Sequence, residues 1–137
     1  MNDITKTNKA MNISLWIAQG LMAAMFIMAG ASKSFQSIEA LAEGMPWVND
    51  VSSTLVRFIG VSELLGGIGI ILPAILRIKP KLTSLAAWGL VAVMVLAAGF
   101  HGMRGEYGAI GANAVFIAIL AFVAWGRSKK APILPKA

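Results

Sequence analysis

Residues 55–76, LVRFIGVSELLGGIGIILPAIL, form an apolar run that contains a single carboxylate, Glu63. A run of this length can cross a bilayer as a helix. An acidic residue near the centre of such a helix costs roughly 2.5–3.5 kcal/mol on insertion-based scales. Such a side chain usually faces a protein interior or a wet cavity and has polar partners there. We therefore expect other segments of the chain to supply partners to Glu63.

Composition and the lengths of the apolar runs indicate a membrane protein. Of the 137 residues, 58% are hydrophobic and 13% are charged, against about 45–50% and about 25% in typical soluble domains. Further runs at 13–31, 82–100 and 109–125 are each close to the roughly 20 residues that a hydrocarbon core requires. The sequence predicts an all-α, four-helix transmembrane bundle that is one domain, with flexible tails at 1–12 and 128–137.

The first run ends in Ala29-Gly30-Ala31, which resembles a signal-peptidase site. The run at 13–31 is longer than the usual signal segment of about 7–15 apolar residues, so an uncleaved first helix is favoured. In the polar connection that follows, apolar side chains at helical spacing predict a short helix on the membrane surface. Trp47 would then anchor at headgroup depth, or would instead be tucked into the bundle.

The basic residues predict the orientation of the bundle. Twelve Lys and Arg against six Asp and Glu give a formal net charge of +6. Three of the twelve lie in or beside the first and third connections, and the other nine lie at the two ends and in the middle turn. By the positive-inside rule, both termini and the middle turn are cytoplasmic. The charge is therefore a topology signal with anionic lipid contact, and nucleic acid is not an expected partner. The nine are Lys6, Lys9, Arg77, Lys79, Lys81, Arg127, Lys129, Lys130 and Lys136.

Cysteine is absent from the chain. Thiolate nucleophiles, Cys-ligated zinc and iron–sulfur clusters are therefore excluded from these residues. His101 is the only histidine, and it has no second ligand at metal-binding spacing. The sequence predicts no metal site and no intrinsic cofactor. His101 is interpreted as a proton shuttle at the interface or a partner of Glu63, with a simple helix-end cap as the alternative.

Unusual polar residues cluster in the half of the predicted bundle opposite the basic turn. Glu63 lies about 12 Å along the second span from Leu55. In the first span a helical stripe at i, i+4, i+7, i+11 and i+14 runs from Gln19 to Lys33. Each helix could thus contribute a polar group to one outward-opening site. The predicted site residues are Glu63, His101, Lys33, Asn113, Arg104, Glu106, Gln19, Gly60 and Gly67.

Two of these assignments have plain structural alternatives. Gly60 and Gly67 share a helix face with Glu63, where small residues leave room for a ligand or, more commonly, let a neighbouring helix approach. Glu63 itself is a proton-active or ligand-binding carboxylate, or a structural clamp that pairs with Lys33, Arg57, His101 or Asn113. Arg57 lies about 120° around the helix from Glu63 and is expected to pair elsewhere.

Several short motifs in this order resemble the DoxX-like family of small four-helix membrane proteins. They are Gly30-x-x-Lys33, Gly60-Val-x-Glu63-Leu-x-Gly66-Gly67-Ile-Gly-Ile-Ile-Leu-Pro73, Pro80-x-Leu-Thr83 and His101-x-x-Arg104-x-Glu106, with Asn113. The resemblance implies a four-helix bundle in the inner membrane. It also implies an association with quinone-linked redox systems in some relatives, while many have no assigned activity. Thiol-redox bundles of the broader superfamily bind quinone, but a chain without cysteine cannot run their dithiol chemistry.

Three functions follow as hypotheses. The first is binding of a small, partly apolar molecule, with a quinone as candidate, by an accessory subunit of a membrane oxidoreductase. The second is a transporter or channel that uses Glu63, and a homodimer would supply the additional helices. The third is a membrane scaffold subunit whose polar cluster is structural. Whether the chain catalyses a reaction stays open, with Glu63 and His101 as the candidate catalytic residues.

Overall fold

The computed structural model describes residues 2–136, with side chains from Asn8 onward. Five α-helices follow one another along the chain. They are α1 (Asn2–Phe35), α2 (Ile38–Gly44), α3 (Ser53–Leu76), α4 (Leu82–Met103) and α5 (Tyr107–Trp125). A 3₁₀ turn at Pro46–Asp50 lies between α2 and α3, and a π-helical turn at Gly126–Lys130 continues α5.

The four long helices carry the apolar runs of the sequence. Segments Asn8–Phe35, Ser53–Leu76, Leu82–Met103 and Tyr107–Lys130 are each long and apolar enough to cross a membrane. The prediction of an all-helical, four-helix transmembrane bundle is therefore confirmed, and the chain is a multi-pass membrane protein. The cytoplasmic placement of both termini stays a prediction.

The four long helices form a closed ring, in which α1 and α4 each pack against both α3 and α5. Apolar side chains such as Met22, Ile70, Leu90 and Leu120 fill its centre and are almost completely buried. A smaller buried cluster joins the connection to the start of α3 through Leu41, Val48 and Val56. One end of the ring is therefore covered by α2 and the 3₁₀ turn.

Local signals set where the helices begin and end. Serine hydroxyls accept the first free N–H groups, from Ala40 at Ser37 and from Leu55 at Ser52, each at 3.2 Å. Helix α3 ends at Arg77, whose φ of 57° is left-handed. That conformation is unfavourable for a residue with a Cβ. Hydrogen bonds from Arg77 Nε to the carbonyl of Leu134 and from Lys136 N–H to the carbonyl of Arg77 hold it in place.

Glycines set the contact between α1 and α3. A Cβ at Gly30 would lie 2.4 Å from the backbone nitrogen of Leu64, and a Cβ at Gly60 would lie 2.7 Å from the backbone of Lys33. Backbone atoms cannot swing aside as flexible side chains can. The two helices therefore approach this closely only because neither position carries a side chain.

The flexibility expected for the tails at 1–12 and 128–137 stays a prediction, and the structure gives the conformation of their described parts. Within the described residues, α1 begins at Asn2. Residues 131–136 run back to α3, where the backbone N–H of Lys136 donates to the carbonyl of Arg77 at 2.8 Å. Met1 and Ala137 lie outside the described residues. The tail has no apolar periodicity, so tertiary hydrogen bonds, which sequence patterns do not reveal, position it.

We expect Gly30→Ala to lower the stability of the bundle by about 1–3 kcal/mol, because the added methyl group must push α1 and α3 apart. The measurement is the temperature at which half of the detergent-solubilised protein loses its monodisperse peak in size-exclusion chromatography.

Gly20→Ala is the matched control, because a Cβ at Gly20 of the same helix meets no atom within 4 Å. This control should be neutral or slightly stabilising. Equal midpoints for the two variants would contradict the tight contact at Gly30.

Candidate functional site

A buried ion pair joins α1 to α3. Lys33 Nζ donates to Glu63 Oε2 at 2.8 Å, and the two side chains are 11% and 5% exposed. Lys33 lies in the last turn of α1, and the absence of a side chain at Gly60 lets that turn lie directly against α3. Removing one partner of such a buried pair typically costs about 3–5 kcal/mol, because the other charge is left uncompensated.

Arg57, on the next face of α3, caps the end of α1. Its Nη1 donates to the carbonyl of Lys33 at 2.9 Å and also to the carbonyl of Gln36. The carbonyl of Lys33 belongs to the last turn of α1 and that of Gln36 directly follows the helix, so neither has a partner within it. Arg57 therefore fixes the position of the turn that carries Lys33 without pairing with Glu63.

A cavity of about 610 Å³ lies between the four long helices at this end of the bundle. Most of its walls are apolar, from Phe26 and Ala29 of α1 to Phe116 of α5. Five predicted site residues line it together: Lys33, Glu63, His101, Glu106 and Asn113. The structure thus brings polar groups from α1, α3, α4 and α5 to one mostly apolar space.

Asn113 places an unpaired donor at this cavity. The residue is 7% exposed, and its Nδ2 atom is buried with no hydrogen-bond partner among the described residues. Leaving a buried polar group without a partner costs about 1–3 kcal/mol. The Asn113 side chain is thus a polar group in the cavity lining whose donor is not used by the described residues.

Aromatic side chains cover the cavity at the end of the bundle. The Trp47 ring lies edge-on to Phe100, with centroids 5.7 Å apart, and edge-on to the His101 ring at 6.4 Å. These contacts favour the interpretation in which Trp47 is tucked into the bundle. His101 Nδ1 is hydrogen-bonded to Glu106 Oε1 at 3.1 Å, so its partner is this carboxylate and Glu63 pairs with Lys33.

Arg104 ties the turn between α4 and α5 to the connection between α1 and α3. Its Nη1 donates to Asp50 Oδ2 and its Nε to Glu106 Oε1, both at 2.7 Å. These bonds, that with Asp50 first, raise the pKa of Arg104. Hydrogen bonds from His101 and then from Arg104 lower the pKa of Glu106. Charged hydrogen bonds therefore close this end of the bundle.

The remaining predicted site residues lie elsewhere. Arg104 adjoins the cavity through Glu106 without lining it. Gly60 and Gly67 face α1, where a Cβ at Gly67 would lie 2.9 Å from Ile27. Gln19 is about 21 Å along α1 from Lys33. It donates to the carbonyl of Ile70 at 2.8 Å and accepts from Arg127 Nε at 2.6 Å, at the opposite end of the bundle.

Sequence reasoning missed two parts of this region. Asp50 was not among the candidates, because its partner Arg104 lies 54 residues away and no local pattern connects them. Phe100 and Trp47 were not recognised as the aromatic cover of the cavity. The position of Phe100 directly before the single histidine, at the end of an apolar span, was the only available signal.

We expect acid to weaken the closed end of the bundle through Glu106. Because its pKa is lowered from 4.5 in the folded protein, ionised Glu106 stabilises the fold above about pH 4.5, and this contribution is lost as the pH falls through the lowered pKa. Glu106→Gln should therefore reduce the acid-dependent loss of thermal stability, measured by fluorescence-detected unfolding between about pH 3 and pH 6.

Glu43→Gln is the control, since it removes an exposed carboxylate of α2. The role of the Arg104–Glu106–His101 contacts would be contradicted if Glu106→Gln lost thermal stability in acid as the wild type does. It would also be contradicted if Glu43→Gln reduced that loss by the same amount.

Comparison with known proteins gives a family and no individual counterpart. No curated protein and no solved structure matches the chain. The family model for the DoxX-like family matches residues 17–123, which cover the four long helices from near the middle of α1 to near the end of α5. This range is far more than half of the chain. The chain therefore belongs to the DoxX-like family.

Proposed function

We propose that this protein binds a small, partly apolar molecule in the cavity between its four long helices. The volume of about 610 Å³ lies within the roughly 300–1,000 Å³ of typical small-molecule sites. The walls combine many apolar side chains with a few polar ones, which is also typical of such sites. The observation that carries the proposal is the buried Asn113 side chain, which lines the cavity and whose Nδ2 has no partner among the described residues.

The Lys33–Glu63 pair gives the cavity a second polar contact. An ammonium group has three N–H donors, and Lys33 uses one of them on Glu63. A ligand oxygen could accept from Lys33 and from Asn113 without breaking the ion pair. Since the two charges compensate each other, the site favours a neutral molecule with hydrogen-bond acceptors.

A quinone fits these requirements. Its head carries two oxygen atoms that accept hydrogen bonds, and its tail is apolar. The side chains of Phe58 and Leu96 line the cavity and are also 69% and 74% exposed on the surface of α3 and α4. In a membrane that surface faces lipid, which supports entry of a membrane-dissolved molecule between these two helices.

Redox chemistry, where it occurs, would belong to a partner. The chain has no cysteine and so has no dithiol of its own. An accessory subunit of a membrane oxidoreductase that holds a quinone is the role most consistent with this composition. The excess of Lys and Arg at the end opposite the cavity supports placement in the inner membrane with both termini in the cytoplasm.

The packing below the cavity favours binding over transport. Phe26 and Phe116 line the cavity and lie edge-on at 5.9 Å, and the buried core continues beyond them through Met22 and Leu120. Among the described residues, this apolar layer separates Glu63 from the polar side chains at the other end. A continuous polar route would be needed for conduction.

We expect Asn113→Leu to bind a quinone at least tenfold more weakly, while its thermal stability stays equal or rises, because the change removes a buried donor without a partner. Binding of a short-chain ubiquinone analogue is followed by quenching of Trp47 fluorescence, with Trp47→Phe to identify the signal.

Thr83→Val is the matched control. Thr83 Oγ1 is also buried without a partner, but Thr83 does not line the cavity. This variant should gain stability and keep its affinity. If Asn113→Leu bound the analogue as the wild type does, or if the wild type did not bind it, the quinone proposal would be wrong.

The ion pair can be tested for function apart from stability. Glu63→Gln alone should lower stability by about 3–5 kcal/mol, because Lys33 is left charged and buried. The double variant Lys33→Met, Glu63→Gln should recover most of that loss while remaining weak in binding. Thermal unfolding and quinone titration are measured for the wild type, the single variant and the double variant. Full recovery of both stability and quinone affinity in the double variant would make the pair a structural clamp only.

A further inference from the structure

Arg127, at the end of the bundle opposite the cavity, is buried and has no carboxylate partner among the described side chains. It is 5% exposed. Its Nε donates to Gln19 Oε1 at 2.6 Å, and its Nη1 donates to Asn12 Oδ1 at 2.7 Å and to the carbonyl of Ala131 at 2.8 Å. The guanidinium also stacks over Trp16, 5.0 Å from the ring centroid. All these partners are neutral, so the positive charge is not compensated by the described side chains.

The third guanidinium nitrogen of Arg127 makes no hydrogen bond with the described residues. Its Nη2 atom is buried and has no partner among the described residues. Asn12 and Ala131, which hold Nη1, and Trp16, which stacks on the guanidinium, are themselves wall residues of an open cleft of about 540 Å³. Arg127 therefore lies directly behind the wall of this cleft.

The cleft is formed by the start of α1, the end of α3 and the C-terminal tail, and its lining is cationic and apolar. Arg77 and Lys130 supply two positive charges, and Asn8 supplies an amide. Ile75 and Ile133 supply apolar surface. None of the described acidic residues lines it. The described acidic side chains all lie toward the other end of the bundle: Glu39, Glu43, Asp50, Glu63 and Glu106.

We propose that this cleft binds the headgroup of an acidic phospholipid. The lipid phosphate would lie between Lys130 and Arg77 in the positive field of Arg127, and an acyl chain would lie along Ile75, which is 59% exposed on α3. Basic pockets at the ends of transmembrane helices recognise anionic headgroups in this way. The apolar wall favours a lipid over a soluble anion, because only a lipid has an acyl chain that can pack against it.

The experiment counts bound lipids by native mass spectrometry of the full chain in detergent. Dioleoyl phosphatidylglycerol is titrated against dioleoyl phosphatidylcholine, which has the same acyl chains and no net charge. We expect one phosphatidylglycerol to be retained at concentrations at which phosphatidylcholine is lost. Equal retention of the two lipids would overturn the proposal.

Neighbouring lysines provide a matched pair of variants. Lys130 lines the cleft, whereas Lys129 is exposed and does not. Lys130→Ala should weaken phosphatidylglycerol binding about fivefold, as expected for one basic side chain near an anionic headgroup, and Lys129→Ala should leave it unchanged. Both variants keep Arg127 and its contacts, and Lys130→Ala also removes the exposed contact of Lys130 Nζ with the Trp125 ring, 5.4 Å from its centroid. Equal weakening in the two would indicate diffuse attraction and overturn the site.

Excess inorganic phosphate separates a lipid from a soluble anion. If phosphate does not displace phosphatidylglycerol from the wild type, the lipid assignment is supported. If phosphate displaces phosphatidylglycerol, and if Lys130→Ala changes that displacement, the cleft would be assigned to a soluble oxyanion and the lipid proposal would be overturned. Neither outcome depends on the cavity at the opposite end of the bundle.

Discussion

The close approach of α1 and α3 around the Lys33–Glu63 pair is the contact on which the rest of the structure depends. Burying two opposite charges inside a membrane bundle costs desolvation free energy, and this cost is offset only when the two groups form a close ion pair. The pair forms at 2.8 Å because Gly30 and Gly60 let two backbones meet where side chains would hold them apart. Tight packing on this side of the ring then places Lys33 and Glu63 together on the wall of the cavity they share with α4 and α5.

Much of this arrangement follows from local sequence. Length and hydropathy were sufficient to predict four spans, and the cost of a buried acid was sufficient to predict a partner for Glu63, with Lys33 among the candidates. His101, Glu106 and Asn113 line the same cavity as Lys33 and Glu63. Successive long helices run in opposite directions, so the end of α4 and the start of α5 lie on the same side as the end of α1 and the start of α3. The prediction for Gln19 shows the limit of this reasoning. A helical stripe fixes the direction of a side chain around the axis, but Gln19 and Lys33 are about 21 Å apart along it.

The contacts that sequence could not give are those between distant segments. Asp50 and Arg104 are 54 residues apart, Arg77 and Leu134 are 57 apart, and Gln19 and Arg127 are 108 apart. Apart from Gln19, which lies in the middle of α1, these polar groups lie at helix ends or in connections, where hydrophobic periodicity carries no information. Basic residues after the last span ordinarily indicate membrane topology, and a topology signal does not predict that one of them is buried. Arg127 is buried because it donates hydrogen bonds to Asn12 and Gln19, seven residues apart on one face of α1.

The two ends of the bundle differ in how their buried charged side chains are compensated. At one end Lys33 and Glu63 compensate each other and the adjoining cavity is mostly apolar, which supports the proposal of an uncharged ligand with acceptor atoms. At the other end the described partners of Arg127 are neutral, which supports the proposal of an anionic ligand. Each end also has a buried donor without a partner among the described residues, Nδ2 of Asn113 or Nη2 of Arg127. A donor deprived of both water and protein partners lowers stability unless something else accepts its hydrogen bond. The two ligands proposed for these ends therefore differ in charge, because the buried charges at the two ends are compensated differently.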